Sequence, residues 1–529
     1  MKVAKSGSIT SETTSFDSAI ILTGFGKFHI ETIAVCSLSV LVVGFQNGLS
    51  SYVFPAAQCE LNLDSFQLGL LNVAFLLGGA LSCFLFGTLA DMLGRRPVLI
   101  GTHLLNSAVT ILSSTNPTVH SLIVCRFFNG FLIGGPGSII YAYISEFQPP
   151  KYRTMSVCYC GLFFTLAWLL LPVLAYLVLP LNVNLKVGGF FVLSPWRLFL
   201  IILSLPEITV GLWLIRLPES PKFYVAKGYP RKALVVLRKM YSSNSGKGPE
   251  SFPVKNIITE VNIEVSSGSK VTCRGQIARV MSEVVDQMKS LFQRHLIGRT
   301  VLISGIMFSN MFGMFGLGLW LPDLLIKFEQ YRSLHPNDTI SLKELSSLSE
   351  ERNISCTPSF EPSVIQSTVA MGVTALVLSG CACWASTKTS AKNISLVAMT
   401  IGGVSSGLIY WMSSSLQNLI IACIFQSTMI ISNMSISGIA VELFPTKVNG
   451  VAICFVLCIG RLAAGLSNVL FGYLMDSQCE IPIFIVAAVV TLGGGACLLV
   501  PNAKREDVVQ TRKGFEKEVE IAVISDRFR

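Results

Sequence analysis

One short segment holds the charged residues that are best spaced for chemistry between helices. It begins at Gly87 and reads Gly-Thr-Leu-Ala-Asp-Met-Leu-Gly-Arg-Arg-Pro. Gly94 permits a tight turn, and Asp91 can accept hydrogen bonds at the N-terminus of a helix in the opposite half of the chain. Arg95 and Arg96 can pair with carboxylates on neighbouring loops. A simple basic turn would explain the arginines but not Asp91 and the glycines. We therefore predict that this segment makes charged contacts with neighbouring helices and loops.

The elements that must position this segment are membrane helices. Of the 529 residues, 51% are hydrophobic and 13% are charged, whereas about 25% are charged in soluble domains. Apolar runs of roughly 18 or more residues can cross a hydrocarbon layer of about 30 Å, and in lipid each must satisfy its own backbone hydrogen bonds as a helix. The predicted spans lie at about 30–55, 66–90, 97–115, 119–143, 155–180, 196–216, 298–326, 363–385, 393–412, 416–440, 450–474 and 480–500.

Charge placement predicts orientation and excludes several function classes. The net charge is +10, but the basic residues flank alternate loops, which argues against nucleic acid as a partner. Because cytosolic loops are enriched in Lys and Arg, we predict that this basic side and both termini are cytosolic. No nucleophile, phosphate-binding or zinc-type cysteine pattern is visible. We therefore expect no enzyme activity, no metal and no cofactor.

The sequence divides into two six-helix halves joined by a basic loop. We predict a cytosolic tail, an N-terminal bundle, a central loop with an amphipathic helix near 222–242, a C-terminal bundle with an outer loop, and a second cytosolic tail. Their bounds are 1–29, 30–216, 217–297, 298–500 with the loop at 327–362, and 501–529. The fold class is thus an all-α membrane protein of twelve transmembrane helices.

An internal echo supports the two halves. Glu146-Phe-Gln-Pro-Pro-Lys-Tyr-Arg153 follows span 4, and Glu442-Leu-Phe-Pro-Thr-Lys-Val-Asn449 follows span 10, at an offset of 296 residues. Chance resemblance of one short loop is plausible, but the matching helix position makes it less so. Repeated six-helix halves are a transporter device, in which substrate binds between the halves near the bilayer midplane.

The loops resemble those of the major facilitator superfamily. The segment from Gly87 matches its cytosolic signature, and Leu217-Pro-Glu-Ser-Pro-Lys-Phe after span 6 resembles its Pro-Glu-Ser-Pro motif. Val441-Glu-Leu-Phe-Pro-Thr after span 10 resembles that motif as well. The resemblance implies a cytosolic gate of interdomain salt bridges. Its members would be Arg95, Arg96, Glu146, Arg153, Glu219 and Glu442, beside Gly87, Asp91 and Gly94.

Two further segments resemble the branch of synaptic vesicle glycoprotein 2 and its related proteins. They are Gly24-Phe-Gly-Lys-Phe-His before span 1 and Pro55-Ala-Ala-Gln-Cys-Glu after it. That branch usually carries acids inside span 1, where this sequence has Gln46 and Asn47. The departure puts proton or cation handling at this position in doubt.

Ionisable residues inside membrane spans are costly and mark functional sites. Arg126 in span 4 is interpreted as a substrate-binding or proton-coupling residue, or as one that snorkels to the surface. Arg461 in span 11 lies deeper in the membrane than Arg126, and Glu207 in span 6 is either its partner or a protonatable site. For polar residues of the spans, a cavity lining and helix packing both remain open. The candidate cavity residues are Gln46, Asn47, Arg126, Asn129, Trp168, Asn310, Gln366, Gln426, Asn433 and Arg461.

The predicted outer loop carries two N-glycosylation sequons, at Asn337 and Asn353. Polar sequence on the non-cytosolic side is where such sequons are modified. A disulfide among Cys59, Cys356 and Cys479 stays open as well.

We predict a monomeric transporter of a small organic solute that works by alternating access in a lipid bilayer. The missing span acids favour facilitative transport, and no coupling ion is identified. The alternative is a synaptic-vesicle-type membrane glycoprotein that acts mainly in partner binding or trafficking. The expected location is the plasma membrane or a secretory or synaptic vesicle membrane.

Overall fold

A computed structural model describes residues 13–501, apart from 62, 182–184, 188–190, 258–281, 283–284, 287, 323, 326–361, 387, 412–413, 445–447 and 475–479. Its helices are α1 Phe16–Ile21, α2 Lys27–Gly48, α3 Ser50–Leu61, α4 Ser65–Leu93, α5 Arg95–Ser114, α6 Val119–Phe147, α7 Pro150–Val178, α8 Pro195–Leu214, α9 Pro221–Ala226, α10 Pro230–Ser245, α11 Ile297–Phe315, α12 Pro362–Ala385, α13 Ala391–Leu408, α14 Ser415–Leu443, α15 Asn449–Leu474 and α16 Glu480–Ala496.

Twelve spans of the described residues are long and apolar enough to cross a membrane. They comprise α2 with α3, α4 to α8, and α11 to α16. The predicted all-α membrane fold is confirmed. Several helices run about one turn beyond the predicted apolar limits, as α6 does at Phe147, because a helix continues past the hydrocarbon layer into polar sequence. Many large apolar side chains remain exposed on the outer faces, for example Leu492 at 74%, as a lipid-facing surface requires.

Two short strand pairs add to the helical fold. Strand β1 (Thr13–Thr14) pairs in parallel with β4 (Asn256–Ile257), and β2 (Leu185–Val187) pairs antiparallel with β3 (Phe191–Leu193). The first pair ties the N-terminal segment to the central linker. The all-α prediction did not include these strands.

The two six-helix halves repeat the same packing. In the N-terminal half α4 packs on α6, α5 on α8 and α2 on α7. The equivalent pairs of the C-terminal half are α12 on α14, α13 on α16 and α11 on α15. Between the halves, α4 packs on α15 and α7 on α12. A two-fold rotation that exchanges the halves exchanges these two contacts, so the sequence echo has a structural counterpart.

The linker after α8 forms two helices where the sequence predicted one. The predicted helix near 222–242 is broken between α9 and α10, because Gly228 adopts a left-handed φ of 75° and Pro230 opens the next helix, a favoured position for proline. Its apolar face is as predicted, since Ala233, Leu234 and Leu237 are buried. The assignment of these elements to the cytosol stays a prediction.

Asn244 at the end of α10 fastens the N-terminal segment to this linker. Its side-chain amide donates to the backbone carbonyls of Thr23 and Gly24, at 3.0 and 3.1 Å, and accepts from the N–H of Phe28 at 3.1 Å. The same side chain contacts Nδ1 of His29 at 3.1 Å. The linker is therefore attached to the N-terminal half.

Candidate functional site

The turn between α4 and α5 carries the predicted gate residues. We call the end of the molecule that holds Arg95 the basic end. The guanidinium of Arg95 lies 2.9 Å from the Asp91 carboxylate and 3.3 Å from the Glu146 carboxylate. The Asp91 side chain is 70% exposed, whereas that of Arg95 is only 16% exposed. Arg95 thus links α5 to the end of α6.

The carboxylate of Glu219 lies at the start of α5. Its carboxylate accepts hydrogen bonds from the backbone N–H groups of Arg95 and Arg96, both at 3.1 Å, and from that of Ser220 at 2.8 Å. Burial raises the pKa of Glu219, and the hydrogen bonds from these backbone groups offset only part of that rise. A carboxylate is favoured at a helix N-terminus. Glu219 is therefore an N-terminal cap for α5.

Three of the four positions of the Pro-Glu-Ser-Pro motif have a physical role in this structure. Glu219 caps α5, Ser220 caps α9 through a hydrogen bond from the N–H of Phe223 at 3.1 Å, and Pro221 begins α9. Arg96 completes the joint, because its guanidinium donates to the carbonyls of Leu214 and Ile215 at the end of α8. The motif locks the linker to the N-terminal bundle.

These contacts differ from the interdomain gate that the resemblance implied. Among the described residues, the hydrogen-bond and salt-bridge partners of Asp91, Arg95, Arg96 and Glu219 lie in the N-terminal half or in the linker. Arg153 donates to the Ser145 carbonyl at 3.2 Å and lies 3.6 Å from Asp17. The side chain of Glu442 lies outside the described residues. Salt bridges between the halves stay a prediction.

A buried polar network joins five helices of the N-terminal half, α2, α3, α5, α6 and α8. Arg126 donates to Oε1 of Gln46 at 3.3 Å and to Oγ of Ser50 at 3.0 Å. Gln46 in turn donates to Glu207 at 2.9 Å and to Thr110 at 3.0 Å. Arg126 and Glu207 are both fully buried, at 2% and 0% exposure. Gln46 therefore stands between a buried cation and a buried acid.

Two asparagines extend this network. Asn106 donates to Glu207 at 2.6 Å, and Asn129 donates to Oδ1 of Asn106 at 2.8 Å. Sequence reasoning named Gln46, Arg126 and Asn129 but missed Ser50, Asn106 and Thr110. The spacing of Asn106 and Thr110, one helical turn apart on α5, is the signal that could have found them.

The predicted pairing of Glu207 with Arg461 is wrong, since the acid bonds to Gln46 and Asn106. Glu207 lies inside the N-terminal half, between α8, α2 and α5. Arg461 comes from α15 and lies against Gly79 of α4 and Gly134 of α6. The two residues are thus separated by the helices that pack between them.

The opposite, acidic end is tied together by Glu60. Its carboxylate accepts from Nε and Nη2 of Arg197 at 3.1 and 2.8 Å, from Trp196 at 2.7 Å and from Ser194 at 2.5 Å. Burial raises the pKa of Glu60, but the hydrogen bonds from Ser194, Arg197 and Trp196 outweigh it, so the pKa is lowered overall. Glu60 thereby fastens α3 to the start of α8.

The two halves meet through hydrogen bonds near this acidic end. Ser51 donates to the carbonyl of Leu319 at 3.0 Å, and Asn72 donates to Oδ1 of Asn468 at 3.0 Å. Tyr52 and Thr368 also form a hydrogen bond between the halves. The interface is therefore closed at this end.

A small cavity of about 20 Å³ lies between the halves beside these contacts. Trp168 of α7 and Gln426 of α14 line it from opposite sides, with Ser51, Tyr52 and Thr368. Nε1 of Trp168 and Oε1 of Gln426 are buried without a hydrogen-bond partner among the described residues. Two predicted cavity residues are thus brought together, in a space that holds about one water molecule.

The remaining predicted cavity residues are placed differently. Asn433 donates to Oδ1 of Asn310 at 3.0 Å, and Asn310 donates to the carbonyl of Met429 at 3.2 Å, so this pair binds α11 to α14. Asn47 donates to its own helix at Val43, and Gln366 is exposed. Helix packing, the alternative left open by the sequence, accounts for the two asparagines of the C-terminal half.

No cluster of three or more metal-binding side chains occurs in the described part of the chain. The described residues do not include the glycosylation sequons at Asn337 and Asn353. They also do not include Cys356, Cys479 or the side chain of Cys59. Those expectations stay predictions.

Comparison with known proteins identifies a family and several relatives that this chain resembles. The family described as sugar (and other) transporter matches residues 20–316, more than half of the chain. The chain is 28% identical over 323 residues to synaptic vesicle glycoprotein 2B of Homo sapiens, covering 59% of this chain and 47% of that protein. It is 26% identical over 313 residues to synaptic vesicle glycoprotein 2A of Rattus norvegicus, covering 57% and 42%. The chain therefore spans about half the length of the curated relatives it matches.

Solved structures show the same fold. The inward-open xylose transporter from E. coli superposes with a TM-score of 0.62 at 17% identity, covering 90% of this chain and 97% of that one. Its partially occluded inward-open form gives 0.61 at 16% identity, covering 88% and 96%.

The twelve described membrane spans, in two equivalent halves with a basic turn after the second span, have the same fold as the xylose transporter from E. coli. The chain belongs to the sugar (and other) transporter family, near the branch of synaptic vesicle glycoprotein 2.

Proposed function

We propose that this protein moves a small organic solute across a membrane by alternating access between its two halves. The observation that carries the proposal is the small cavity between the halves, where Trp168 and Gln426 have hydrogen-bonding atoms without a partner among the described residues. Unsatisfied buried polar groups are costly, and a solute that enters on conformational opening would satisfy them.

The contacts between the halves support the same mechanism. Ser51 with Leu319, Asn72 with Asn468 and Tyr52 with Thr368 close the acidic end. Individually such hydrogen bonds contribute about 0.5–1.5 kcal/mol, so a few of them can break within a transport cycle. By the positive-inside rule the basic end faces the cytosol. The closed end is then the outer gate.

The transport is facilitative in this proposal. Gln46 occupies the position in span 1 where related proteins carry acids, and Glu207 is already bonded to Gln46 and Asn106. An imposed proton gradient should therefore not drive accumulation. A tenfold rise in uptake under such a gradient would show coupling instead.

The test is uptake by the purified full-length chain in proteoliposomes. A defined mixture of sugars, amino acids, amines and carboxylates is offered, and mass spectrometry identifies the compounds that enter. Saturable uptake of at least one compound is expected, and Gln426→Ala should reduce it about tenfold. Ser395→Ala is the matched control, because Ser395 contacts Ser432 inside the C-terminal half. Absence of uptake for every compound would exclude the proposed function under these conditions.

A membrane glycoprotein that mainly binds partners is the second candidate. The similarity to synaptic vesicle glycoproteins 2A and 2B favours it, as does Gln46 in place of an acid. The two candidates differ in their motions. Cysteine accessibility that alternates between the two ends supports transport, and a protein held in one conformation supports partner binding.

A further inference from the structure

The guanidinium of Arg461 lies near the middle of a membrane span and forms no hydrogen bond or salt bridge with the described residues. Arg461 is at the centre of α15, which runs from Asn449 to Leu474, and it faces Gly79 at the centre of α4. Nη1 of Arg461 is buried without a hydrogen-bond partner among the described residues. Nor does any described carboxylate form a salt bridge with it. A charged side chain at this depth in a membrane is energetically costly, and such residues mark functional sites.

The other two arginines buried within spans form hydrogen bonds, although Nε of Arg126 has no partner among the described residues. Arg126 donates to Gln46 and Ser50 and stacks over the ring of Phe75 at 4.4 Å. Arg197 donates to Glu60 and to two backbone carbonyls. Arg461 differs from these two arginines because it forms no hydrogen bond or salt bridge with a described residue.

Glycines of the opposite half allow this guanidinium to pack closely against α4 and α6. A Cβ at Gly79 would collide with Nη1 of Arg461, and a Cβ at Gly134 would lie 3.2 Å from it. A Cβ at Gly137 would lie 3.8 Å from Nη2. Arg461 itself is only partly buried. The guanidinium therefore lies at the interface between the halves, and a group that binds it has no described hydrogen-bond partner to displace.

We infer that Arg461 binds the anionic group of the transported solute, which is therefore an organic carboxylate. The inference rests on the proposed transport function and names its substrate class. Guanidinium and carboxylate match in a planar pair of charge-assisted hydrogen bonds. Arg461 belongs to the C-terminal half, and the glycines that it contacts belong to the N-terminal half. A bound carboxylate therefore neutralises a charge that lies between the two halves. Occupancy then favours closure of the halves around the solute.

The test offers proteoliposomes matched pairs of acids and their neutral amides: benzoate and benzamide, lactate and lactamide, succinate and succinamide. At least one carboxylate should enter about tenfold faster than its amide. Arg461→Gln should bring that pair within about twofold, and Arg461→Lys should retain part of the preference. Equal uptake of acid and amide, or a preference that survives Arg461→Gln, would overturn the inference.

A stability measurement guards against a purely structural role. Without solute, Arg461→Gln should leave the denaturation temperature unchanged or raise it, because no partner is lost. Arg197→Gln removes the charged partner of Glu60 and should lower the denaturation temperature. A drop for Arg461→Gln equal to that for Arg197→Gln would show a structural partner and contradict the inference.

The two proposals fail differently. Uptake confined to neutral solutes or amines leaves transport intact and refutes the role of Arg461. Absence of uptake for every compound refutes the transport function and this inference together.

Discussion

The Glu219 carboxylate accepts a hydrogen bond of 3.1 Å from the backbone N–H of Arg95. The two residues are 124 positions apart in the chain, so this contact joins the turn after α4 to the end of the N-terminal bundle. Gly94 makes it possible, because its φ of 107° turns the chain with no side chain to obstruct the carboxylate.

Gly94→Ala should therefore destabilise the protein by about 1–3 kcal/mol, since a left-handed conformation strains a residue with a Cβ. The added Cβ would also collide with Glu219. Denaturation temperature in detergent measures the effect. Gly87→Ala is the matched control, because a Cβ there meets no described atom within 4 Å, and alanine in a helix is favoured over glycine by about 1 kcal/mol. Equal effects of the two changes would contradict this account of the turn.

Glu60→Gln should lower stability at pH 7 by about 1–3 kcal/mol, because the side chain of Arg197 is 5% exposed and loses its charged partner. The folded pKa of Glu60 lies below its ordinary value of 4.5. Its stabilisation is therefore complete above pH 4.5 and lost as pH falls through the folded value.

Denaturation temperatures of wild type and variant should converge as the pH is lowered towards 4 and below. Exposed Glu250 provides the control, and Glu250→Gln should leave the temperature unchanged throughout. A constant gap between wild type and Glu60→Gln down to low pH would exclude this role for the charge.

Cys158 of α7 and Cys383 of α12 form a side-chain contact between the halves at the basic end. Mild oxidation should join them in a disulfide and stop at least about 90% of solute exchange, because alternating access requires the halves to separate there. Peptide mass spectrometry detects the link. Cys158→Ser should abolish both the link and the inhibition. A cross-linked protein that transports normally would argue against separation at this end.

The helices could be predicted from the sequence, but their rotation about their own axes could not. Apolar length defined the twelve spans, and Ala233, Leu234 and Leu237 were correctly assigned to the buried face of α10. Helices such as α4 and α6 are apolar on nearly every side, so hydrophobic periodicity does not indicate which face meets which neighbour. This is why Glu207 was matched with Arg461 rather than with Gln46 and Asn106.

The gate shows the same limit. The charged residues of the turn were recognised by type and spacing. The carboxylate of Glu219, however, bonds to backbone N–H groups rather than to the arginine side chains. Backbone partners depend on the relative placement of α5 and α9, and no residue pattern specifies that placement.

Gln46→Glu should convert uptake from pH-independent to pH-dependent. The new carboxylate would lie next to both Arg126 and Glu207. In the wild type, Nη1 of Arg126 is 3.3 Å from Oε1 of Gln46, and Oε1 of Glu207 is 2.9 Å from Nε2 of Gln46. Two buried carboxylates this close do not both ionise, so they share a proton. Transport would then bind and release that proton, and uptake of the solute identified in proteoliposomes should change about tenfold between pH 6 and pH 8.

Asn47→Asp is the matched control, because Asn47 donates to the Val43 carbonyl and makes no described contact with Arg126. It adds an acid to the same helix one residue further on, outside the network. Uptake by this variant should keep the pH-independence of the wild type. If both variants become pH-dependent, any acid in span 1 suffices. If neither does, the link from Arg126 through Gln46 to Glu207 has no part in coupling, and that polar network serves only to hold the N-terminal helices together.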